Sequence, residues 1–236
     1  MLLEYKKTKN SGFFPAFFAG GFLAAVIPVI HTAARANFFT RQAGTPVSIL
    51  LDANGQFMSM LHVLLLVAAS CLLYNIEYAD NAMTKMRTLP LRESAVFFGK
   101  VALTLLMSLL ALAMEAAGIL LCSCRYFTPG PGLWTELFQS FGYTFFMLLP
   151  CTVLSLLISE ACKNMWTSLG IQVICVFAAA MLPEDSFLCS LFPYALPFLS
   201  LADTGNAAGC LWVAVAELAV FSLAELIFIK AGRLFT

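Results

Sequence analysis

Three glutamates, Glu115, Glu217 and Glu225, stand inside long apolar runs of the chain. An ionised carboxylate near the centre of a bilayer costs at least about 2.5 to 3.5 kcal/mol, so such a group faces a cavity, finds a partner or keeps its proton. At about 1.5 Å of rise per helical residue, Glu115 and Glu217 fall at similar depth, roughly 9 to 12 Å below one edge of the apolar region. Glu225 lies deeper, toward the other edge. No basic residue is expected at the depth of Glu115 and Glu217. Two chemistries follow. These acids line a water-accessible interior and attract a cationic, amphipathic ligand, or they are protonated and hydrogen-bond from helix to helix.

The other reactive side chains suggest less. His31 and His62 are isolated, and Cys122-x-Cys124 without a nearby histidine is a poor zinc signature. No metal is expected. Cys71, Cys151 and Cys175 read as small packing groups, while Cys122 and Cys124 fall near the side expected for Cys189 and Cys210, where a disulfide could form. An intramembrane protease needs a serine and an acid beside a histidine, or paired aspartates, and the sequence places no such set beside His62. There is no G-x-x-x-x-G-K-[ST] phosphate-binding loop. The chain is therefore not expected to bind ATP in the usual way.

The elements that carry these residues are membrane helices. Of 236 residues, 61% are hydrophobic and 11% charged, against about 25% charged in soluble domains. A span needs about 20 apolar residues, and six runs qualify: Phe13 to Ile30, Gln56 to Tyr74, Ser94 to Leu121, Thr135 to Ile158, Met165 to Leu182 and Gly209 to Ile229. No cleavage site and polar mature domain follow the first run, so it is expected to stay as a helix. Lysine and arginine collect on the cytoplasmic side. With the amino terminus inside, ten of the 13 basic residues are cytoplasmic and Arg35, Arg41 and Arg125 are outside. Both termini are then cytoplasmic. The stretch from His31 to Gly55 is expected to be a polar outer loop.

Two connections carry further expectations. "NIEYADNAMTKMRTLPLRE", Asn75 to Glu93, lies between the second and third spans. Ile76, Ala79, Met83 and Met86 follow one helical face, with Glu77, Asp80, Lys85 and Arg87 largely elsewhere, and after Leu89 the helix stops at Pro90. Such a short amphipathic helix suits the groove of a soluble partner. Between the fifth and sixth spans, Ser186 to Leu201 is apolar but short and is broken by Pro193 and Pro197. A broken segment of this kind reads as re-entrant or interfacial. Gly20 with Ala24 and Gly21 with Ala25 are small pairs that let helices approach closely. Trp134, Trp166 and Trp212 fall near span ends.

The chain resembles the permease subunits of ABC-type exporters, in the branch linked to lantibiotic immunity and resistance. The resemblance rests on "YNIEYADNAMTKMRTLPLRESAVFFGK", "KTKNSGFFPAFFAGG" and "SEACKNMWTSLGIQVI" together with the six-span layout. It implies a coupling helix over Glu77 to Pro90 seated on an ATP-binding subunit, with Asp80, Met83, Lys85, Met86, Arg87 and Leu89 in the contact. It also implies short outer helices capping the path, which puts Phe192, Pro193 and Pro197 at an outer gate. ATP and Mg would sit on that partner and no cofactor on this chain. The further partners implied are a second, related permease, a cationic amphipathic peptide and membrane lipid. No nucleic acid is expected, and the location implied is a bacterial cytoplasmic membrane. The alternative is a proton-coupled carrier of an amphiphile acting without an ATPase.

Overall fold

The computed structural model describes residues 7–9, 11–78, 93–128, 130–162, 164–182, 191–201 and 207–234. Among them every regular element is helical: α1 (Phe13–Ala34), α2 (Ala36–Phe39), α3 (Pro46–Tyr78), α4 (Glu93–Tyr126), α5 (Leu133–Ala161), α6 (Met165–Ala180), a 3-10 turn (Leu196–Phe198) and α7 (Ala207–Leu234). Five of these helices, α1, α3, α4, α5 and α7, are long and apolar enough to cross a membrane. The sixth expected span is α6, with 16 residues. At about 1.5 Å per residue it reaches about 24 Å, short of the roughly 30 Å hydrocarbon core. The residue before a proline is disfavoured in the α region, and Pro183 follows closely in the sequence.

The second span also differs from expectation. It begins at Pro46 and not at Gln56, so α3 runs 33 residues and takes in the second half of the expected outer loop. The loop's first half is occupied by the last turn of α1 and by α2. Polar residues such as Asp52, Asn54 and Gln56 disguise this helix in a hydropathy reading. In the fold they have uses: Asn54 is buried, its Oδ1 accepts a 2.8 Å bond from His31 Nδ1 on α1, and its amide N–H donates to the Leu50 carbonyl.

Small residues set the closest helix contact. A Cβ built on Gly118 of α4 would lie 2.5 Å from the Ala25 carbonyl oxygen of α1, and one on Gly21 would lie 3.0 Å from the Ala111 Cα. Hydrogen is all that fits there, as expected where lipid gives helices no hydrophobic reason to associate and close packing must do it. The main apolar core, including Phe13, Phe17, Leu66, Phe97, Met147 and Leu156, joins α1, α3, α4 and α5. A smaller core of Val47, Leu50, Ile119, Leu133 and Leu137 closes the opposite end. Phe22, Phe138, Ile174 and Trp212 point outward from a belt of large apolar side chains. Only lipid makes that belt favourable.

Residues 191–201 fold back into the bundle. Tyr194, Ala195, Leu196 and Pro197 are almost fully buried, with the chain turning at Pro193 and winding into the 3-10 turn. The Tyr194 hydroxyl donates to Gln172 Oε1 on α6 and accepts from the Ser155 hydroxyl on α5, each at 3.2 Å. Gln172 in turn donates to Ser159 and Ser168 at 2.9 Å, and Ser159 donates to Ser70 on α3 at 3.0 Å. Three helices and the returning segment thus satisfy one another's polar groups where water is absent.

Candidate functional site

A cleft of about 120 Å³ opens between the first half of α3, α4, α5 and the segment Pro197–Leu201. Its polar walls come from Asp52, Gln56 and Ser59 of α3, Glu115 of α4, and Ser140 and Thr144 of α5. Phe141 and Phe198 supply aromatic surface, and among the described residues no lysine or arginine lines it. Glu115 from the substrate-path set and Pro197 from the expected outer gate therefore share one cavity wall. Phe192 and Pro193 lie earlier on the same returning segment but off that wall.

Glu115 has a partner that the sequence reading lacked. His62, buried on α3, brings its Nδ1 to 3.0 Å from Glu115 Oε1. His62 lies sixteen residues from either end of α3, so this acid is paired near the middle of the bundle. The expectation that no base stands at its depth is corrected: a lone histidine in an apolar run does not show which helix it will face. An acid does lie beside His62, but no serine accompanies the pair among the hydrogen bonds of the described residues.

The three acids are not gathered together. Glu217 is buried on α7, within electrostatic range of Cys151 on α5, and its Oε2 has no hydrogen-bond partner among the described residues. Glu225, also buried, lies toward the other end of the bundle within electrostatic range of Glu160 and Lys100. Neither lines the cleft.

Around Glu225 a second polar assembly forms at the helix ends nearest the amino terminus. Glu77 is 2% exposed and lies 2.7 Å from Lys100 Nζ and 3.1 Å from Lys7 Nζ. Lys100 Nζ stands 4.7 Å from the centre of the Tyr74 ring, a cation–π distance. Tyr74 donates to Glu160 Oε2 at 2.5 Å, and the Tyr78 hydroxyl donates to the Glu160 carbonyl. Glu77 is thus the last-turn ion-pair centre of α3, its carboxylate turned inward, and α3 is continuous through Tyr78. A helix beginning separately at Glu77 is corrected. Asp80, Met83, Lys85, Met86, Arg87, Leu89 and Pro90 lie outside the described residues.

The cysteines form no bridge among the described residues: Cys122, Cys124 and Cys210 are free thiols, and Cys189 lies outside that set.

Residues 1–179, about three quarters of the chain, match the family described as ABC-2 family transporter protein. The chain belongs to that family. This ABC-2 transporter chain is a multi-pass membrane permease subunit of an ABC transporter, and the family implies an ATP-binding partner subunit. The matched region of the ABC-2 chain contains α1, α3, α4 and α5, the His62–Glu115 pair and the Glu77 assembly, and stops short of the returning segment and α7. No curated protein and no solved structure matches the chain.

Proposed function

We propose that this permease is half of an ATP-driven exporter that takes lantibiotic-like cationic amphipathic peptides out of the membrane and releases them outside, giving immunity or resistance. Both termini face the cytoplasm of a bacterial cell, and a related second permease and two ATP-binding subunits complete the transporter. ATP and Mg are held by those subunits. The segment from Asp80 to Pro90 is the contact with one of them. ATP-driven closure there favours a state that releases peptide, through different affinities of the two states for the same ligand.

The observation that carries this reading is the cleft: an acid-bearing, partly aromatic cavity with no lysine or arginine on its wall among the described residues, bounded by the segment that returns into the bundle. Such a wall favours a positively charged amphiphile over an anionic one. Tethering supports the coupling role. Glu77 and Lys100, which flank the segment on α3 and α4, are locked together at 2.7 Å, so a push on the segment would reach two membrane helices at once.

The test is copurification and protection. A tagged chain expressed with its native neighbours is expected to recover an ATP-binding subunit and a second permease and to protect cells from a lanthionine-bridged cationic peptide. Met83→Glu with Met86→Glu is expected to lose the ATP-binding subunit while the chain still reaches the membrane. Recovery of the ATP-binding subunit without protection would remove the peptide from the reading, and undiminished recovery by the double variant would remove the coupling segment.

A further inference from the structure

Glu115 is 3% exposed yet lines the cleft. His62 engages its Oε1, and among the described residues no hydrogen bond reaches its Oε2. His62 is 2% exposed, and its Nε2 is buried without a partner among the described residues. The His62 contact holds one oxygen of the carboxylate and leaves Oε2 for a ligand, at a wall that also carries Asp52 and, among the described residues, no lysine or arginine.

We propose that this cleft binds one ammonium or guanidinium group of an amphiphile on Glu115 Oε2, with the adjoining apolar part of the ligand against Phe141 and Phe198, and that His62 is a positioning residue that fixes the carboxylate for it. The proposal deepens the exporter reading and rests on it for the ligand's origin. Pockets that take a drug-sized body measure roughly 300–1,000 Å³, so a cleft of about 120 Å³ receives a single cationic head group and not a whole antimicrobial peptide. Recognition is then of a local cation next to an apolar group, in whatever peptide presents it.

The full chain, with the subunits that copurify, is placed in nanodiscs and titrated with fluorescein-labelled Phe-Lys-Phe amide and with its norleucine analogue, which has the same carbon chain and no ammonium. The lysine probe is expected to bind saturably. Norleucine in the probe, or Glu115→Gln in the protein, is expected to weaken binding roughly 10- to 100-fold, the span of a hydrogen bond to a charged group. Glu225→Gln leaves binding unchanged. His62→Leu weakens it as much as Glu115→Gln, while His62→Gln, whose amide can still donate to the carboxylate, recovers part of the affinity. That recovery is a result a purely structural histidine would not give. Ser140→Leu fills the cleft without touching the buried pair and is expected to abolish binding; it carries the test if the Glu115 variant fails to fold. Equal binding of the two probes, or full affinity in the Ser140 variant, overturns the proposal. Peptide protection scored in parallel separates the two readings. Protection without probe binding removes the site and keeps the exporter, and probe binding without protection does the reverse.

Discussion

Glu77 and Lys100 are 2% and 1% exposed and 2.7 Å apart, with Lys7 completing the group from a partly exposed position. Losing one partner of a buried pair costs about 3–5 kcal/mol because the other charge is left desolvated, whereas exchanging both for apolar residues of similar volume is often near neutral. Lys100→Met is therefore expected to destabilise the chain toward the lower end of about 3–5 kcal/mol, since Lys7 still faces Glu77. Glu77→Leu combined with Lys100→Met is expected to recover most of that loss. Melting of the purified variants in one detergent measures both, and a double variant as unstable as the two single losses added together would show that the charges do not act as a pair. At this scale the sequence showed which residue types were out of place in an apolar run. It did not show their partners. Glu115 was legible as an acid needing an explanation, and its explanation, His62, is 53 residues away.

Small residues decide how the elements fit. Gly118→Ala would bring a Cβ to 2.5 Å from the Ala25 carbonyl, a backbone atom that cannot swing aside. The expected result is an overpacking penalty of about 1–3 kcal/mol. Gly142, on α5, has nothing within 4 Å of the same built atom. Gly142→Ala is accordingly expected to be neutral or to stabilise by up to about 1 kcal/mol. Thermal unfolding of the two variants side by side checks the contrast, and equal effects would mean that α1 and α4 do not meet so closely. The pairs Gly20–Ala24 and Gly21–Ala25 were readable as a packing stripe on α1, and Gly21 and Ala25 do face α4. Span lengths were less readable. Hydropathy registers composition, so Asp52, Asn54 and Gln56 hid the first turns of α3, and the apolar character of α6 hid its shortness.

For the whole molecule, orientation is the property that links the cleft to export. In the proposed orientation, with basic residues inside, the end of the bundle holding the C-terminus of α4 would face outward and the end holding the C-terminus of α5 would face the cytoplasm. Cys124 is exposed near the first of these ends, and Cys162 is partly exposed just past the second. In intact cells a membrane-impermeant maleimide is expected to modify Cys124 and to spare Cys162 until the membrane is opened. The reverse pattern would turn the cleft toward the cytoplasm and undo its assignment as a release site. Composition by itself determined that this chain is a helical membrane protein, because 61% hydrophobic residues in runs of span length leave no soluble alternative. The order of the helices, the small-residue stripe and the broken segment after α6 were also in the sequence, as periodicity and proline placement are local properties. Tertiary structure alone decided that Glu115 meets His62 and the cleft, that Glu217 and Glu225 lie elsewhere, and that Tyr194 closes a polar cluster with Ser155 and Gln172. A helical pattern states which face of a helix is apolar, but the neighbour that face meets is set by the packing of all the others.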